Sequence, residues 1–127
     1  MLSYKNVDVV FVVVFKTVTL FYNYKNQYVM AIKKQFVKTK PVCKVTFSIL
    51  AKEAASAAVV GDFNNWNVEE GTLAKLKNGT FKGVFDLPKD SSYEFKYLID
   101  GAYLNDPEAD GLRWNDYAGT ENSVLAL

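Results

Sequence analysis

The stretch SYEFKYLIDG (residues 92–101) has the alternating pattern that decides the fold class. Its apolar side chains recur at every second position, namely Tyr93, Phe95, Tyr97 and Ile99. A period of two is typical of a β-strand with one face buried in a core. The following Asp100-Gly101 pair predicts a two-residue hairpin turn, because both positions accept a positive φ.

Two further stretches repeat this pattern. VCKVTFSIL (residues 42–50) places Cys43, Val45, Phe47 and Ile49 on one face, and TFKGVFDL (residues 80–87) alternates in the same way. Asn78-Gly79 predicts a second two-residue hairpin turn, and Leu87-Pro88 marks another break. KEAASAA (residues 52–58) would form at most one helical turn. About seven short strands bounded by turns predict an all-β, antiparallel β-sandwich.

Composition and charge limit the function classes. The chain has 127 residues, of which half are hydrophobic, so it can build one core of ordinary domain size. Its 15 basic and 14 acidic residues leave a net charge of +1. A balance of this kind gives no electrostatic reason to expect a nucleic acid or an anionic membrane as a partner.

The sequence contains one cysteine and no histidine. Ser-His and Cys-His nucleophile pairs are therefore excluded, and so is a zinc site built from cysteine and histidine. Cys43 lies on the inward face of its strand, and we interpret it as a small core residue. We expect neither a metal nor a cofactor.

Residues 1–29 differ in composition from the rest of the chain, since they lack glycine, alanine and proline. Three interpretations compete for this segment: a membrane span, a secretory signal, and an extension that is not part of the working domain. The apolar run from Val9 to Phe15 is interrupted by Lys16, which disfavours a membrane span of about 20 residues. Asp8 and the absence of a small-residue cleavage site disfavour a secretory signal. We therefore expect residues 1–29 to be an extension, residues 30–127 to be the working domain, and the location to be cytoplasmic.

Three side chains stand out as candidates for binding a ligand. Lys96 lies on the strand face opposite the apolar residues, Trp66 ends the polar corner GDFNNW (residues 61–66), and Tyr103 follows the Asp100-Gly101 turn. Each also has a structural interpretation: a solvated lysine, a tryptophan that caps the core and a packing tyrosine. Asn64 and Asn65 are interpreted as turn formers.

Several motifs in the same order resemble one family. GDFNNW, FDLPKDSSYEFKYLIDGAYLNDP (residues 85–107) and NDYAGTENSVLAL (residues 115–127) resemble the early-set carbohydrate-binding module at the N-terminus of isoamylase and glycogen-branching enzymes. They also resemble the glycogen-binding domain of the AMP-activated protein kinase β subunit. The resemblance covers roughly residues 40–127. It implies an immunoglobulin-like sandwich that binds α-1,4-glucan (glycogen, starch or maltooligosaccharide) without catalysis.

The resemblance also implies the binding residues, which are Trp66, Lys96, Tyr103, Thr120 and Asn122. Two positions depart from the family pattern. Tyr103 stands where the kinase domain usually has tryptophan, and Ala118 stands where the glycogen-binding form has a larger apolar side chain. Both departures are expected to weaken binding. Because such modules usually accompany a catalytic domain, an enzyme of glycan metabolism acting in trans is a second partner to consider.

Three other functions compete with glucan binding. A glycosidase needs two carboxylates across a cleft, but a strand end and a hairpin turn already explain Asp62 and Asp100. DPEADG (residues 106–111) begins like a calcium loop, yet its twelfth position is Tyr117 where a glutamate is required. The remaining alternative is a protein-interaction or regulatory sandwich that has lost its glucan.

Overall fold

The computed structural model describes residues 28–127 of the chain. These residues form nine β-strands and a short 3₁₀ helix, Asp62–Asn64. The strands are β1 (Val29–Phe36), β2 (Val42–Leu50), β3 (Ala57–Gly61), β4 (Ala74–Lys75), β5 (Thr80–Pro88), β6 (Ser92–Ile99), β7 (Ala102–Leu104), β8 (Gly111–Asn115) and β9 (Thr120–Ala126).

The strands form two antiparallel sheets that face each other. The first sheet has the order β1-β2-β5-β4, and the second has the order β3-β6-β9-β8, with β7 pairing to β6. Leu98 of β6 pairs with Ala58 of β3 and with Tyr103 of β7, so β3 and β7 lie on opposite edges of β6. The predicted all-β antiparallel sandwich is confirmed, with two more strands than expected.

The core forms from the alternating residues of the central strands. Cys43 and the other inward residues of β2 are buried, as are Phe95, Tyr97 and Ile99 of β6, while Tyr93 near the start of β6 is partly buried against the core. The alternation predicted for both strands is confirmed. At the centre, the Phe47 ring lies 5.5 Å from the Phe95 ring and 5.9 Å from that of Phe63. Aromatic contacts at these distances add to the burial of apolar area.

The two predicted hairpin turns differ in geometry. Asp100 and Gly101 have φ values of 49° and 86°, as a type I′ turn requires. In the loop between β4 and β5, only Gly79 has a positive φ, of 89°. Asn78 instead accepts a hydrogen bond from the Thr80 N–H through its side-chain oxygen (3.0 Å). The Asn78-Gly79 hairpin is therefore present, but its loop is longer than the two residues expected.

The first strand begins at the edge of the described region. β1 starts at Val29, which pairs with Leu50, one residue before the predicted start of the working domain. The three interpretations of the N-terminal extension concern residues 1–27 above all, and these lie outside the described residues. Within residues 28–127, no helix has the length and apolar character needed to cross a membrane.

Candidate functional site

An open depression with a volume of about 560 Å³ lies on the outer face of the second sheet. Its position follows from strand alternation, because Lys96 points away from the core while its neighbours Phe95 and Tyr97 are fully buried. The depression is lined by Val60, Trp66, Lys96, Tyr103, Asn115, Tyr117, Ala118, Thr120 and Asn122. All five residues predicted to bind a ligand therefore lie around one surface.

The corner that carries Trp66 is built by tight backbone contacts at the end of β3. A Cβ atom on Gly61 would lie 2.5 Å from the Glu94 carbonyl oxygen, so the strand end approaches β6 at a distance that only glycine permits. The buried Asn64 side chain accepts a hydrogen bond from the Gly61 N–H and donates one to the Val59 carbonyl, both at 3.0 Å. The turn-forming role predicted for Asn64 is confirmed.

Trp66 adopts an unusual backbone conformation. Asn65 and Trp66 have φ values of 55° and 58°, in the left-handed region. For a bulky residue such as tryptophan this conformation costs on the order of 1–3 kcal/mol, and it persists only where the surroundings impose it. Here the Trp66 N–H donates to the Gly61 carbonyl (2.9 Å). This bond ties the Trp66 backbone to the end of β3, and the Trp66 side chain lines the depression.

The Trp66 indole is held by its polar edge. Its Nε1 donates a hydrogen bond to Asp62 Oδ1 at 3.3 Å, and Asp62 Oδ2 accepts one from the Glu94 N–H at 2.8 Å. The tryptophan remains 37% exposed. The sequence allowed two interpretations of Trp66, an open aromatic surface and a cap of the core. This exposure fits an open aromatic surface better.

Lys96 of β6 lines the depression. It pairs with Val60 of β3, and it lines the depression together with Asn122 of β9. Burial lowers the pKa of the Lys96 ammonium, and the negative charge of Glu121 opposes this shift. The ion pairs within residues 28–127 join Lys34 to Asp110, Lys44 to Asp86 and Arg113 to Glu94, so none of them engages Lys96. Its three N–H donors can serve a bound ligand.

Tyr103 supplies a second open ring. It lies on β7 opposite Leu98, and 59% of it is exposed. The turn before it is fixed by Asp100, whose Oδ1 accepts hydrogen bonds from the Ala55 and Ser56 N–H groups at 2.9 and 3.0 Å. The sequence-based interpretation of Tyr103 as a packing residue does not fit this exposure.

Thr120 and Asn122 form the polar side of the depression. Thr120 begins β9 opposite Asn115. Asn122 is 2% exposed, and its Nδ2 donates to Glu94 Oε1 at 3.0 Å. Glu94 Oε2 in turn accepts from Arg113 at 3.3 Å. Asn122 is thus a fixed residue at the floor, and its amide oxygen is the group that it can offer to a ligand.

Sequence reasoning missed three residues around the depression, namely Val60, Asn115 and Tyr117. Val60 belongs to the outward face of β3 but is buried, so its apolar character resembles that of a core residue. Asn115 is the last residue of β8, and Tyr117 lies in the turn between β8 and β9. A signal was present in NDYAGT (residues 115–120), where an aromatic residue precedes a glycine in a polar loop.

The chemistry available in the depression is that of binding. Its lining supplies aromatic rings, amides, a hydroxyl and one ammonium, and none of the residues that line it is a carboxylate. The nearby carboxylates of Asp62 and Glu94 accept hydrogen bonds from the protein itself. Asp106 and Asp110 of the calcium-like loop also accept bonds from the protein, from Tyr97 and Lys34.

Comparison with known proteins identifies a family. The model of carbohydrate-binding module 48 (isoamylase N-terminal domain) matches residues 32–117, which is more than half of the chain. Modules of this type are non-catalytic and bind carbohydrate. The match confirms the family predicted from the sequence motifs, and it includes Trp66, Lys96 and Tyr103 but ends before Thr120. No curated protein matches the sequence.

Proposed function

Because the chain belongs to the carbohydrate-binding module 48 family, we propose that it binds α-1,4-glucan, such as glycogen, starch or maltooligosaccharide. Binding takes place in the depression on the second sheet, through Trp66, Lys96, Tyr103, Thr120 and Asn122. Residues 30–127 act as the binding domain. The likeness to the glycogen-binding domain of the kinase β subunit stays a prediction.

The observation that carries this proposal is the position of two exposed aromatic rings around one lysine. Trp66 and Tyr103 both line the depression that contains Lys96. A pyranose ring has an apolar face of C–H groups and a rim of hydroxyls. An exposed flat ring packs against the face, while amide, hydroxyl and ammonium groups bind the rim. The depression offers both kinds of contact to the same ligand.

The expected affinity is modest. Each aromatic contact contributes about 0.5–1.5 kcal/mol, and each hydrogen bond a net of about 1 kcal/mol. These contributions must exceed an association cost of at least about 4 kcal/mol. The dissociation constant should therefore lie between the micromolar and millimolar ranges. Because the Trp66 and Asn122 side chains are already held in place, little further ordering opposes binding.

A fluorescence titration tests the proposal. Trp66 and Trp114 are the two tryptophans of the chain, and Trp114 does not line the depression. In a Trp114→Phe variant of the full chain, fluorescence therefore reports on Trp66 alone. We expect maltoheptaose to change this signal with saturation, whereas a β-1,4-linked oligosaccharide of the same length should not.

The control is Trp66→Ala, in which binding is followed by calorimetry. It should lose most of the affinity for maltoheptaose while keeping the fold. Equal binding of both sugars would contradict the proposed linkage specificity. If no sugar binds at millimolar concentration, glucan binding is wrong, and the alternative of a sandwich that serves a protein partner takes its place.

A further inference from the structure

The turn between β8 and β9 holds an aromatic residue that the fold does not use. Tyr117 lies in this turn and is fully exposed, with a relative accessibility of 101%. It makes no contribution to the core, and it also lines the depression. An exposed aromatic ring with no packing role, placed at the rim of a binding surface, is available for a ligand.

The backbone of this turn is fixed although the Tyr117 ring is free. Asn115 Oδ1 accepts a hydrogen bond from the Ala118 N–H at 2.9 Å, and the Asn115 carbonyl accepts one from the Gly119 N–H at 2.8 Å. Gly119 has a φ of 69°, which lets the chain turn back into β9. The position of Tyr117 at the rim is thus set by the hairpin.

Strand order places Tyr117 and Trp66 on opposite sides of the depression. Trp66 follows β3, whereas Tyr117 lies between β8 and β9 at the other end of the order β3-β6-β9-β8. β3 and β8 are three strand spacings apart, on the order of 14 Å, which exceeds the width of one sugar ring. Tyr103 lies between them, on the edge of β6 opposite β3. The three rings therefore form a series across the sheet.

We propose that Tyr117 is a third aromatic contact, which makes the depression select longer glucan chains. This inference rests on the proposed glucan binding. Short oligosaccharides bind between Trp66, Lys96 and Tyr103, and further glucose units reach Tyr117. The neighbouring Ala118 carries only a methyl group, so no large side chain separates Tyr117 from the rest of the depression.

The test is a chain-length series on the full chain. Maltotriose through maltoheptaose are titrated calorimetrically into the wild type, Tyr117→Ala and Tyr117→Phe. In the wild type, affinity should rise with length. Tyr117→Ala should weaken maltoheptaose binding about two- to tenfold, the usual value of one aromatic contact, and leave maltotriose binding unchanged. Tyr117→Phe keeps the ring and should retain wild-type affinity for both.

Leu112→Ala is the matched control, because Leu112 lies on the same hairpin, is 54% exposed and does not line the depression. It should bind every sugar as the wild type does. Unchanged binding of all lengths by Tyr117→Ala would overturn the inference, and so would an equal loss at all lengths or a similar loss in Tyr117→Phe. These outcomes differ from failure of the proposed function, in which the wild type binds no glucan.

Discussion

Asp62 holds the Trp66 side chain by its indole nitrogen, with 3.3 Å between Trp66 Nε1 and Asp62 Oδ1. The second carboxylate oxygen of Asp62 accepts a hydrogen bond from the backbone of β6 at Glu94. The same β6 carries Lys96 two residues later. One carboxylate therefore fixes the angle between the tryptophan and the strand that bears the lysine.

Replacing Asp62 should weaken glucan binding through the orientation of Trp66. Asp62→Ala removes both hydrogen bonds, so the indole must be ordered when the sugar binds, and this ordering opposes association. We expect a loss in maltoheptaose affinity of about two- to tenfold, measured by calorimetry. Asp86→Ala serves as the control, because Asp86 forms an exposed ion pair with Lys44 on the other sheet. A matching loss in that variant would show that the effect is not local.

The two sheets are joined at one side by Lys34 and Asp110. Lys34 Nζ lies 2.7 Å from Asp110 Oδ2 and 2.9 Å from the Ala126 carbonyl oxygen. Burial acts to raise the pKa of Asp110, but the Lys34 hydrogen bond, the Ala126 N–H and the Lys34 charge together lower it. The pKa of Asp110 is therefore lower in the folded than in the unfolded protein. The stability from this contact is fully present above the unfolded-state pKa of Asp110, and it is lost as the pH falls through the folded-state pKa.

Asp110→Asn should therefore make the stability of the protein less sensitive to acid. At pH 7 the variant should lose no more than about 1 kcal/mol, since both partners are partly exposed to water. Between pH 5 and pH 2, the wild type should lose more free energy of unfolding than the variant does. Urea denaturation at several pH values measures both quantities. If the free energy of unfolding falls with pH equally in both proteins, Asp110 does not have the assigned role in acid sensitivity.

A buried pair, Tyr97 and Asp106, supports the sheet under the depression. The Tyr97 hydroxyl donates to Asp106 Oδ2 at 2.7 Å, and both residues are almost fully buried. Burial raises the pKa of Tyr97 far above its ordinary value, and the Asp106 hydrogen bond and charge raise it further. Because the pKa of Tyr97 is higher in the folded than in the unfolded protein, its contribution to stability is complete below the unfolded-state pKa. This contribution is lost as the pH rises from the unfolded-state pKa through the folded-state pKa.

Tyr97→Phe should destabilise the fold by about 1–3 kcal/mol, because Asp106 Oδ2 stays buried without the hydroxyl that donates to it. Above pH 10 the difference in free energy of unfolding between the two proteins should narrow. The wild type alone loses stability there, because its buried Tyr97 hydroxyl resists the ionisation that it undergoes in the unfolded state. Urea denaturation at pH 7 and pH 11 measures the change, and the other tyrosines cancel in the comparison. A constant difference at the two pH values would contradict this role of Tyr97.

Sequence periodicity predicted the parts of the fold in which one face is buried. The alternation in β2 and β6 identified their inward residues because burial imposes a period of two on any half-buried strand. β4, Ala74–Lys75, is too short to have a period. The loop at Asn78-Gly79 was assigned too short because the dipeptide permits more than one turn geometry.

The candidate site could be predicted only where family motifs marked it. Lys96 alone could be placed by alternation, as the residue opposite the core face of β6. The contact of Asp62 with Trp66 depends on how the corner after β3 packs against β6, and this packing between distant segments is not readable from the local sequence. Tyr117 was missed for a related reason, because an exposed loop residue leaves no periodic signal and its place at the depression is set by the β8–β9 hairpin.

Lys96 should stabilise the complex with sugar and destabilise the free protein. Burial lowers the pKa of its ammonium, and Glu121 compensates only in part. Because the folded pKa lies below the unfolded one, Lys96 costs folding free energy at neutral pH, and this cost disappears as pH rises. Lys96→Met keeps an unbranched side chain that is one atom shorter and removes the charge, so its melting temperature at pH 7 should exceed that of the wild type.

The same substitution should weaken maltoheptaose binding about tenfold, the usual value of a hydrogen bond from a charged donor. As the pH is raised above neutral, wild-type affinity should fall when the ammonium loses its proton, and this should occur below the pH at which an ordinary lysine titrates. The affinity of Lys96→Met should stay constant over that interval. Melting curves and calorimetric titrations on the two proteins measure both effects. A variant that is less stable than the wild type would contradict the folding cost assigned to the Lys96 charge. A variant whose affinity follows the wild-type pH curve would exclude Lys96 as the charged group of the site.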